Sequence, residues 1–287
     1  MIIQFRSSSR ISHFFTSAFA KELAYVIRFI WQHPANRGSR VSGLLRFANF
    51  QFQAKVLHQR TQTALGQRSR IWTPLHRQAV AKVVCANPPD YAEMMAWRRV
   101  LRPGDLFVDV GANVGTYTIW AAELGAEVVA LEPAPDTFAL LEENVALNDY
   151  PVETLHMAAG AICGTCRFTS GLDALNRMDP EGAAETAVVT IDSIIQDRVV
   201  AGIKIDVEGF EIEVLRGCEH ALSDGRIKMI QLEWNACSMT ALGTDRRPVA
   251  DLLAKYGYVL YRPDRDGSLV PVVGANFGAD VFACPGD

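Results

Sequence analysis

The chain reads as an α/β protein, a mostly parallel sheet with helices on both faces, plus an N-terminal helical extension. Three observations carry that reading. From Leu101 onward, short apolar runs of strand length alternate with amphipathic helical stretches, which is the pattern of a parallel sheet covered on both sides. The first hundred residues lack this alternation and are strongly basic. The composition, 49% hydrophobic and 21% charged, is that of a globular chain and excludes disordered and collagen-like classes. Six cysteines in 287 residues are too sparse for a disulfide framework.

The elements follow in order. Ile11, Phe14, Phe15, Ala18, Phe19, Val26, Ile27, Ile30 and Trp31 recur at helical spacing, so an amphipathic helix is expected to end before His33-Pro34. Residues 35–43 read as a loop, and a second, polar-basic helix is expected from Leu44 to Leu65, with Gly66 as its stop. Leu106 to Val110 is a buried strand after the turn Arg102-Pro-Gly-Asp105. Gly111 to Gly115 leads into a helix over Thr116–Leu124, stopped by Gly125. Glu127 to Leu131 is the next strand, and a helix starts near Pro135, burying Phe138, Leu141 and Val145. Val152 to Met157 is a third strand, and Gly164 to Phe168 is part of a hairpin. Ile203 to Asp206 is a fourth strand, followed by a helix over Phe210–Arg216 with Gly217 as its stop. Met229 to Glu233 is a fifth strand, and Pro248 to Tyr256 is a helix before Gly257. Tyr258 to Tyr261 and Asp280 to Cys284 close the chain as strands, one of them antiparallel. The expected division is a basic helical segment over residues 1–68 and one catalytic domain over residues 69–287.

Charge is split along the chain. Residues 1–100 carry 15 Lys+Arg against 3 Asp+Glu, whereas residues 101–287 carry 13 against 29. The basic end can meet an anionic membrane, glycan or nucleic acid, or dock on the acidic remainder of its own chain. Residues 1–33, with Arg10, Lys21 and Arg28 on a Phe/Trp-rich helix, are expected either to contact a membrane peripherally or to pack on their own domain. Nucleic acid is not the expected partner. No run of 18 uncharged apolar residues occurs, and no apolar core with a small-residue cleavage site follows Arg6 and Arg10. The expected setting is therefore cytoplasmic, with membrane-peripheral contact the variant of it.

Ligands of open α/β sheets bind at the carboxyl ends of strands, and acids cluster there: Asp109, Glu132, Asp206 and Glu233. A dinucleotide loop would read G-x-G-x-x-G, but here Gly111, Asn113 and Thr116 hold those positions. Asp109 would repel a pyrophosphate. It suits a ligand with positive charge and no phosphate, such as S-adenosylmethionine. Gly111 and Gly115 then allow close backbone approach, and the following helix N-terminus takes the methionine carboxylate. Glu132, 23 residues beyond Asp109, is at the spacing of a ribose-binding acid. A nicotinamide oxidoreductase on a Rossmann fold and a non-catalytic membrane- or anion-binding module are the competing readings.

Three segments carry a resemblance: Asp109-Val-Gly-Ala-Asn-Val-Gly-Thr-Tyr117, Glu132-Pro133 and Ile203-Lys-Ile-Asp-Val-Glu-Gly-Phe-Glu211. Together they resemble the FkbM family of methyltransferases. Thr190-Ile-Asp192, the Ala158–Phe168 stretch and, more loosely, Tyr91-Ala-Glu93 agree with it. The resemblance covers about residues 90–285 and implies a Rossmann-like class I methyltransferase fold. It also implies S-adenosylmethionine as cofactor and an oxygen acceptor, often a sugar or natural-product hydroxyl. The cofactor residues expected are Asp109, Gly111, Asn113, Gly115, Thr116, Tyr117 and Glu132.

Methyl transfer to a hydroxyl needs an aligned oxygen and a base or metal to accept or weaken its proton. Lys204, Asp206 and Glu208 share one face if their strand stays extended. They form either a structural ion-pair network, or a site in which Asp206 or Glu208 reaches the acceptor or a metal and Lys204 tunes their charge. Glu211 acts there or caps its helix. Asp206, Glu233 and Asn235 make an all-oxygen set suited to Mg2+ or Ca2+. His156 and His220 are bases by type but are expected to be structural, and Cys163-x-x-Cys166 lacks the second pair a zinc site needs.

Overall fold

The structure, a computed structural model, describes residues 11–73, 81–168, 184–234, 245–272 and 280–286. It opens with a helical hairpin of α1 (Ile11–Gln32) and α2 (Arg40–Lys55), joined by a single 3-10 turn over Pro34–Asn36. Pro34 ends α1 because its ring cannot continue the hydrogen-bond ladder. The helices touch where α2 has no side chain: a Cβ on Gly43 would lie 2.8 Å from Ile30 Cγ2. Buried Asn36 donates to the carbonyls of Ile30 at 3.1 Å and Cys85 at 2.8 Å, and His33 Nε2 lies 2.8 Å from the Pro89 carbonyl. These bonds pin the hairpin to α3 (Ala81–Cys85) and to the start of α4 (Tyr91–Val100).

The expected helix from Leu44 to Leu65 is corrected. Helix α2 ends at Lys55, and Thr61–Leu65 is strand β1, paired antiparallel with β2 (Ser69–Thr73). The reason is a period of two: in β2, Ser69, Ile71 and Thr73 are buried while Arg70 faces water. Gly66 marks a turn, with φ +73°, and not a helix stop. The boundary between residues 68 and 69 falls in this turn.

Chain order continues through β3 (Leu106–Val110), α5 (Thr116–Glu123), β4 (Glu127–Leu131), α6 (Pro135–Ala146) and β5 (Val152–Leu155). The expected strand Val152–Met157 breaks at His156, and β6 (Met157–Ala159) leaves the main sheet. It pairs with β8 (Ala184–Val189), which is flanked in turn by β7 (Gly164–Phe168) as the expected hairpin. After α7 (Ile191–Ile195) come β9 (Gly202–Ile205), α8 (Glu211–Arg216), α9 (Glu219–Ser223), β10 (Ile230–Leu232) and α10 (Arg247–Lys255). Strands β11 (Tyr258–Pro263), β12 (Leu269–Pro271) and β13 (Val281–Pro285) close the chain.

The main sheet has eight strands in the order β12-β11-β13-β10-β9-β3-β4-β5. Strands β10, β9, β3, β4 and β5 are parallel, and β13 runs antiparallel between β10 and β11. The chain moves outward from β3 to β5, then returns to place β9 on the other side of β3. That reversal opens a crevice at the carboxyl ends of β3 and β9.

Each face of the sheet has its own core. Val108, Val110, Ile203, Ile205, Ile230 and Leu232 pack under α7 to α10. On the other face, Trp97 of α4 meets Phe107 and Phe282 edge-on at 4.9 and 5.6 Å. Gly202 makes room for it, since a Cβ there would lie 2.2 Å from Trp97 Cζ3. No helix among the described residues is long and apolar enough to cross a membrane.

Glu123, at the end of α5, clamps the β1–β2 turn. Its carboxylate accepts from the backbone N–H of Gln67, Arg68 and Ser69 at 2.8–2.9 Å and from Ser69 Oγ at 2.6 Å. Burial opposes its ionisation, but these donors outweigh burial and hold the carboxyl below its ordinary value. Glu123→Ala is expected to lower the unfolding free energy by about 2 kcal/mol, measured by urea denaturation at neutral pH. A depressed acid stabilises above its unfolded pKa and loses that contribution as pH falls, so the difference between wild type and variant should shrink on acidification.

Candidate active site

The turn from β3 to α5 is built by its own packing. Gly111 has φ +78°, and a Cβ there would lie 2.0 Å from the Asp206 carbonyl oxygen. Gly115 has φ +91° and meets Leu141 Cδ1 at 2.8 Å in the same test. Both glycines therefore serve left-handed backbone and close contact with neighbouring chain. The space expected to admit a ligand beside them is filled by Asp206 and Leu141. Asn113, at φ +52°, caps the turn by accepting from Val114 N at 2.8 Å.

Glu132 ties this turn to the next strand. One carboxylate oxygen accepts from Asn113 N at 2.9 Å, and the other from Ala134 N at 2.9 Å. A carboxylate has about four acceptor positions, so lone pairs remain for further donors such as ribose hydroxyls. Thr116 opens α5, whose first-turn N–H groups have no partner within the helix.

Asp109 is fully buried. Thr118 Oγ1 donates to its Oδ2 at 2.6 Å, while Oδ1 has no hydrogen-bond partner among the described residues. Burial raises its carboxyl above the usual range, and Lys204 and Thr118 counter that only in part. A buried acid with an orphan oxygen at a strand end fits a cationic group, as the ammonium of S-adenosylmethionine would be.

Strand register joins this site to its neighbours. Asp109 lies opposite Lys204, Lys204 opposite Gln231 and Gln231 opposite Phe282, so β3, β9, β10 and β13 share one polar row. Lys204 is 4% exposed. Its Nζ donates to Asp206 Oδ2 at 2.8 Å and lies 4.7 Å from the Tyr117 ring centroid. Burial works against its charge, but Asp206 and Asp109 outweigh it, so the ammonium is held above its ordinary value. Tyr117 is turned toward this row, with its hydroxyl 3.3 Å from Gln231 Nε2.

Strand β9 ends at Ile205, so Lys204, Asp206 and Glu208 do not line one extended face as expected. The chain turns at Glu208, φ +50°, and Gly209, φ +104°. The turn nevertheless gathers the acids, for carboxylate oxygens of Asp206, Glu208 and Glu233 all lie within 4.8 Å of one another. Burial disfavours charge on Asp206, yet Lys204 and a hydrogen bond with Glu233 hold its carboxyl below the usual range. Burial, then the charges of Asp206 and Glu208, keep Glu233 well above that range, so it carries the shared proton at neutral pH. Glu208 is pushed up to about 7, first by burial and then by Asp206 and Glu211. The trio thus holds an ionised acid, a protonated acid and one poised near neutrality.

Other expected candidates are placed apart from this trio. Glu211 is buried, accepts from Gly209 N at 3.0 Å and pairs with Arg246 at 2.6 Å, which makes it a brace of the turn. His156 stacks on Phe138 at 4.8 Å and contacts the Pro133 carbonyl. Asp192 accepts from the backbone of His220 and Ala221 and ties α7 to α9. Asn235 lies outside the described residues.

Asp280 and Glu93 reach the site without having been assigned a role in the sequence. Asp280 accepts from Gln231 Nε2 at 2.8 Å and is pushed up to about 6 by burial and by Asp206. Glu93 is pushed up to about 7 by burial, with Asp90 and Asp280 adding to it. The signal for Asp280 was an acid directly before a buried strand, and for Glu93 an acid in the first turn of α4.

Removing the ammonium while keeping its anions tests the row. Lys204→Met is expected to cost about 3–5 kcal/mol of stability, read from urea unfolding. Adding Asp206→Leu should recover a large part, because no stranded charge then remains beside the methionine.

The description methyltransferase FkbM domain matches residues 109–260. The chain is 29% identical to a hexuronic acid methyltransferase, AglP, of Haloferax volcanii over 174 residues, covering 58% of this chain and 69% of that one. It is 32% identical to the 31-O-demethyl-FK506 methyltransferase FkbM of Streptomyces tacrolimicus over 161 residues, covering 42% of this chain and 62% of that one. A solved TehB-like SAM-dependent methyltransferase from Corynebacterium glutamicum aligns with TM-score 0.40 and 12% identity, over 68% of this chain and 86% of that one.

Proposed function

The chain belongs to the FkbM family of S-adenosylmethionine-dependent methyltransferases, and on that premise we propose that it methylates a hydroxyl of a sugar, glycan, lipid-linked or natural-product acceptor. The observation that carries this is one juxtaposition. The glycine turn with the orphan oxygen of Asp109 adjoins the acids Asp206, Glu208 and Glu233 across the β3–β9 crevice. Two relatives named for a hexuronic acid and for O-demethyl-FK506 support a hydroxyl-bearing acceptor. Catalysis is assigned to residues 69–287, with residues 1–68 an appended unit.

Bound S-adenosylmethionine supplies an electrophilic methyl group on a sulfonium. Asp109 takes the ammonium, Glu132 the ribose hydroxyls, and the first turn of α5 at Thr116 the carboxylate. Gly111, Asn113 and Gly115 hold the turn that aligns these groups. Tyr117 closes the floor between the cofactor side and Lys204. Glu208 accepts the acceptor's hydroxyl proton, since an acid near pKa 7 is matched to that task at neutral pH. Lys204 keeps Asp206 ionised, and Glu233 donates to Asp206, so both orient the acid that faces the acceptor.

A hard divalent cation such as Mg2+ is the second reading, favoured by three carboxylates within 4.8 Å. Asp206, Glu208 and Glu233 would hold it, with Asn235 a further donor by its sequence position. It must displace the proton of Glu233 and compete with Lys204 for Asp206, which makes the metal-free reading the leading one.

Two measurements test the assignments. Asp109→Ala and Glu132→Ala should each weaken S-adenosylmethionine binding at least about tenfold by calorimetry, from the loss of a charge-assisted contact. Unchanged affinity in both folded variants, or tighter binding of NAD, would sink the cofactor assignment. Once screening yields a hydroxyl acceptor, Glu208→Gln should keep cofactor affinity and lower kcat about a hundredfold. Wild-type kcat should rise with pH through about 7 as Glu208 loses its proton, and the variant should lose that rise. Loss of activity with EDTA, restored by Mg2+, would instead favour the metal.

A further inference from the structure

The N-terminal hairpin leaves an apolar seam in water. Val41, Leu45, Ala48 and Phe52 follow one another at steps of four, three and four along α2. At 3.6 residues per turn they lie within about 60° of one another. All four are exposed, Val41 at 66%, Leu45 at 64% and Phe52 at 51%, and Val56 at 60% extends the line past the helix end. Helix α1 adds Ile27 and Trp31, one turn apart and also exposed.

This seam is not a slipped core face. The inner side of α2 is separately occupied, by Gly43 on Ile30, by buried Ala54 and by Arg46, which bonds Asn36 Oδ1 at 3.1 Å and the Val84 carbonyl at 3.3 Å. An amphipathic helix needs one apolar stripe for its own domain, and α2 carries a second one outside it.

Charge identifies the occupant. Lys21, Arg28, Arg37 and Arg40 are exposed on the same hairpin, and none forms an ion pair among the described residues. Arg40 spreads over the Trp31 ring at 5.2 Å and thereby joins cation to aromatic ring at the bend. Only one acid, Glu22, occurs in residues 1–89. A second copy would bring the same cations against them, and nucleic acid has no use for five aliphatic and aromatic side chains in a row. Exposed apolar side chains rimmed by cations match a bilayer interface with anionic headgroups, which takes both at once.

We propose that the α1–α2 hairpin docks this protein on anionic lipid surfaces, with the outward seam of α2 as the inserted face. The sequence alone pointed to residues 1–33; the seam from Val41 to Val56 lies beyond them. The docking does not depend on the identity of the acceptor. It would set the crevice close to a membrane, where hydroxyl compounds carried on lipids are found.

Full-length protein should float with vesicles of phosphatidylcholine and phosphatidylglycerol, and not with phosphatidylcholine alone. Leu45→Ser combined with Phe52→Ser should reduce that binding at least about tenfold. About 0.5 M NaCl should also weaken it by screening the cations. Affinity for S-adenosylmethionine, measured in parallel, should be unchanged in the double variant and so reports that it folds. Folded wild type that ignores anionic vesicles would overturn the proposal. So would equal binding to neutral vesicles, or self-association in sedimentation that the same double variant abolishes.

Discussion

A buried ammonium must be neutralised where it sits, and the centre of this protein is arranged around that demand. Lys204 lies in the middle strand of the sheet with almost no access to water. Its neighbours on both sides of the crevice are acids, Asp109 across the strand pair and Asp206 two residues on. Taking one charge out of water is costly, and here the cost is offset only if β3 and β9 stay in register. The same contact brings the glycine turn against the Asp206 carbonyl, so the two loops that form the crevice are held by one electrostatic constraint.

That constraint also sorts the acids. Asp206 is nearest the ammonium and remains ionised. Glu233 shares a hydrogen bond with it and keeps a proton, because a third charge in the same small volume would be repelled. Glu208 is further from Lys204 and closer to water, and it stands near neutrality. Three carboxyls of one chemical type thus acquire three protonation behaviours from position alone. An enzyme working on a weakly acidic hydroxyl needs such a division between an orienting acid and a proton acceptor.

The uneven charge along the chain has a partial structural outlet. Arg60 pairs with Glu143 and Arg99 with Asp266, so some of the basic segment is met by the acidic remainder. These are surface pairs and weak ones. The hairpin itself is held by neutral bonds from Asn36 and His33 to backbone carbonyls, which leaves its cations for other use.

Much of this architecture was legible in the residues. Strand β3, the turn Gly111–Gly115, helix α5 and strand β4 follow from apolar runs and punctuating glycines, which are local signals. The same holds for the acids at strand ends, because position after a buried run is itself the clue. What failed were calls for longer range. Thr61–Leu65 has a helical neighbour and a glycine after it, but its partner β2 decides its state through pairing. His156 interrupts a strand only because β6 finds β8 instead of β4 and β5. Asp280 lies 49 residues from Gln231 and reaches it because β13 enters the sheet antiparallel beside β10. The sequence by itself determined the order of elements, the cofactor turn and the type of each acid. Tertiary structure alone decided which acids meet, which of them keeps its proton and which side of α2 faces water, since each depends on neighbours far away in the chain and on the burial they impose.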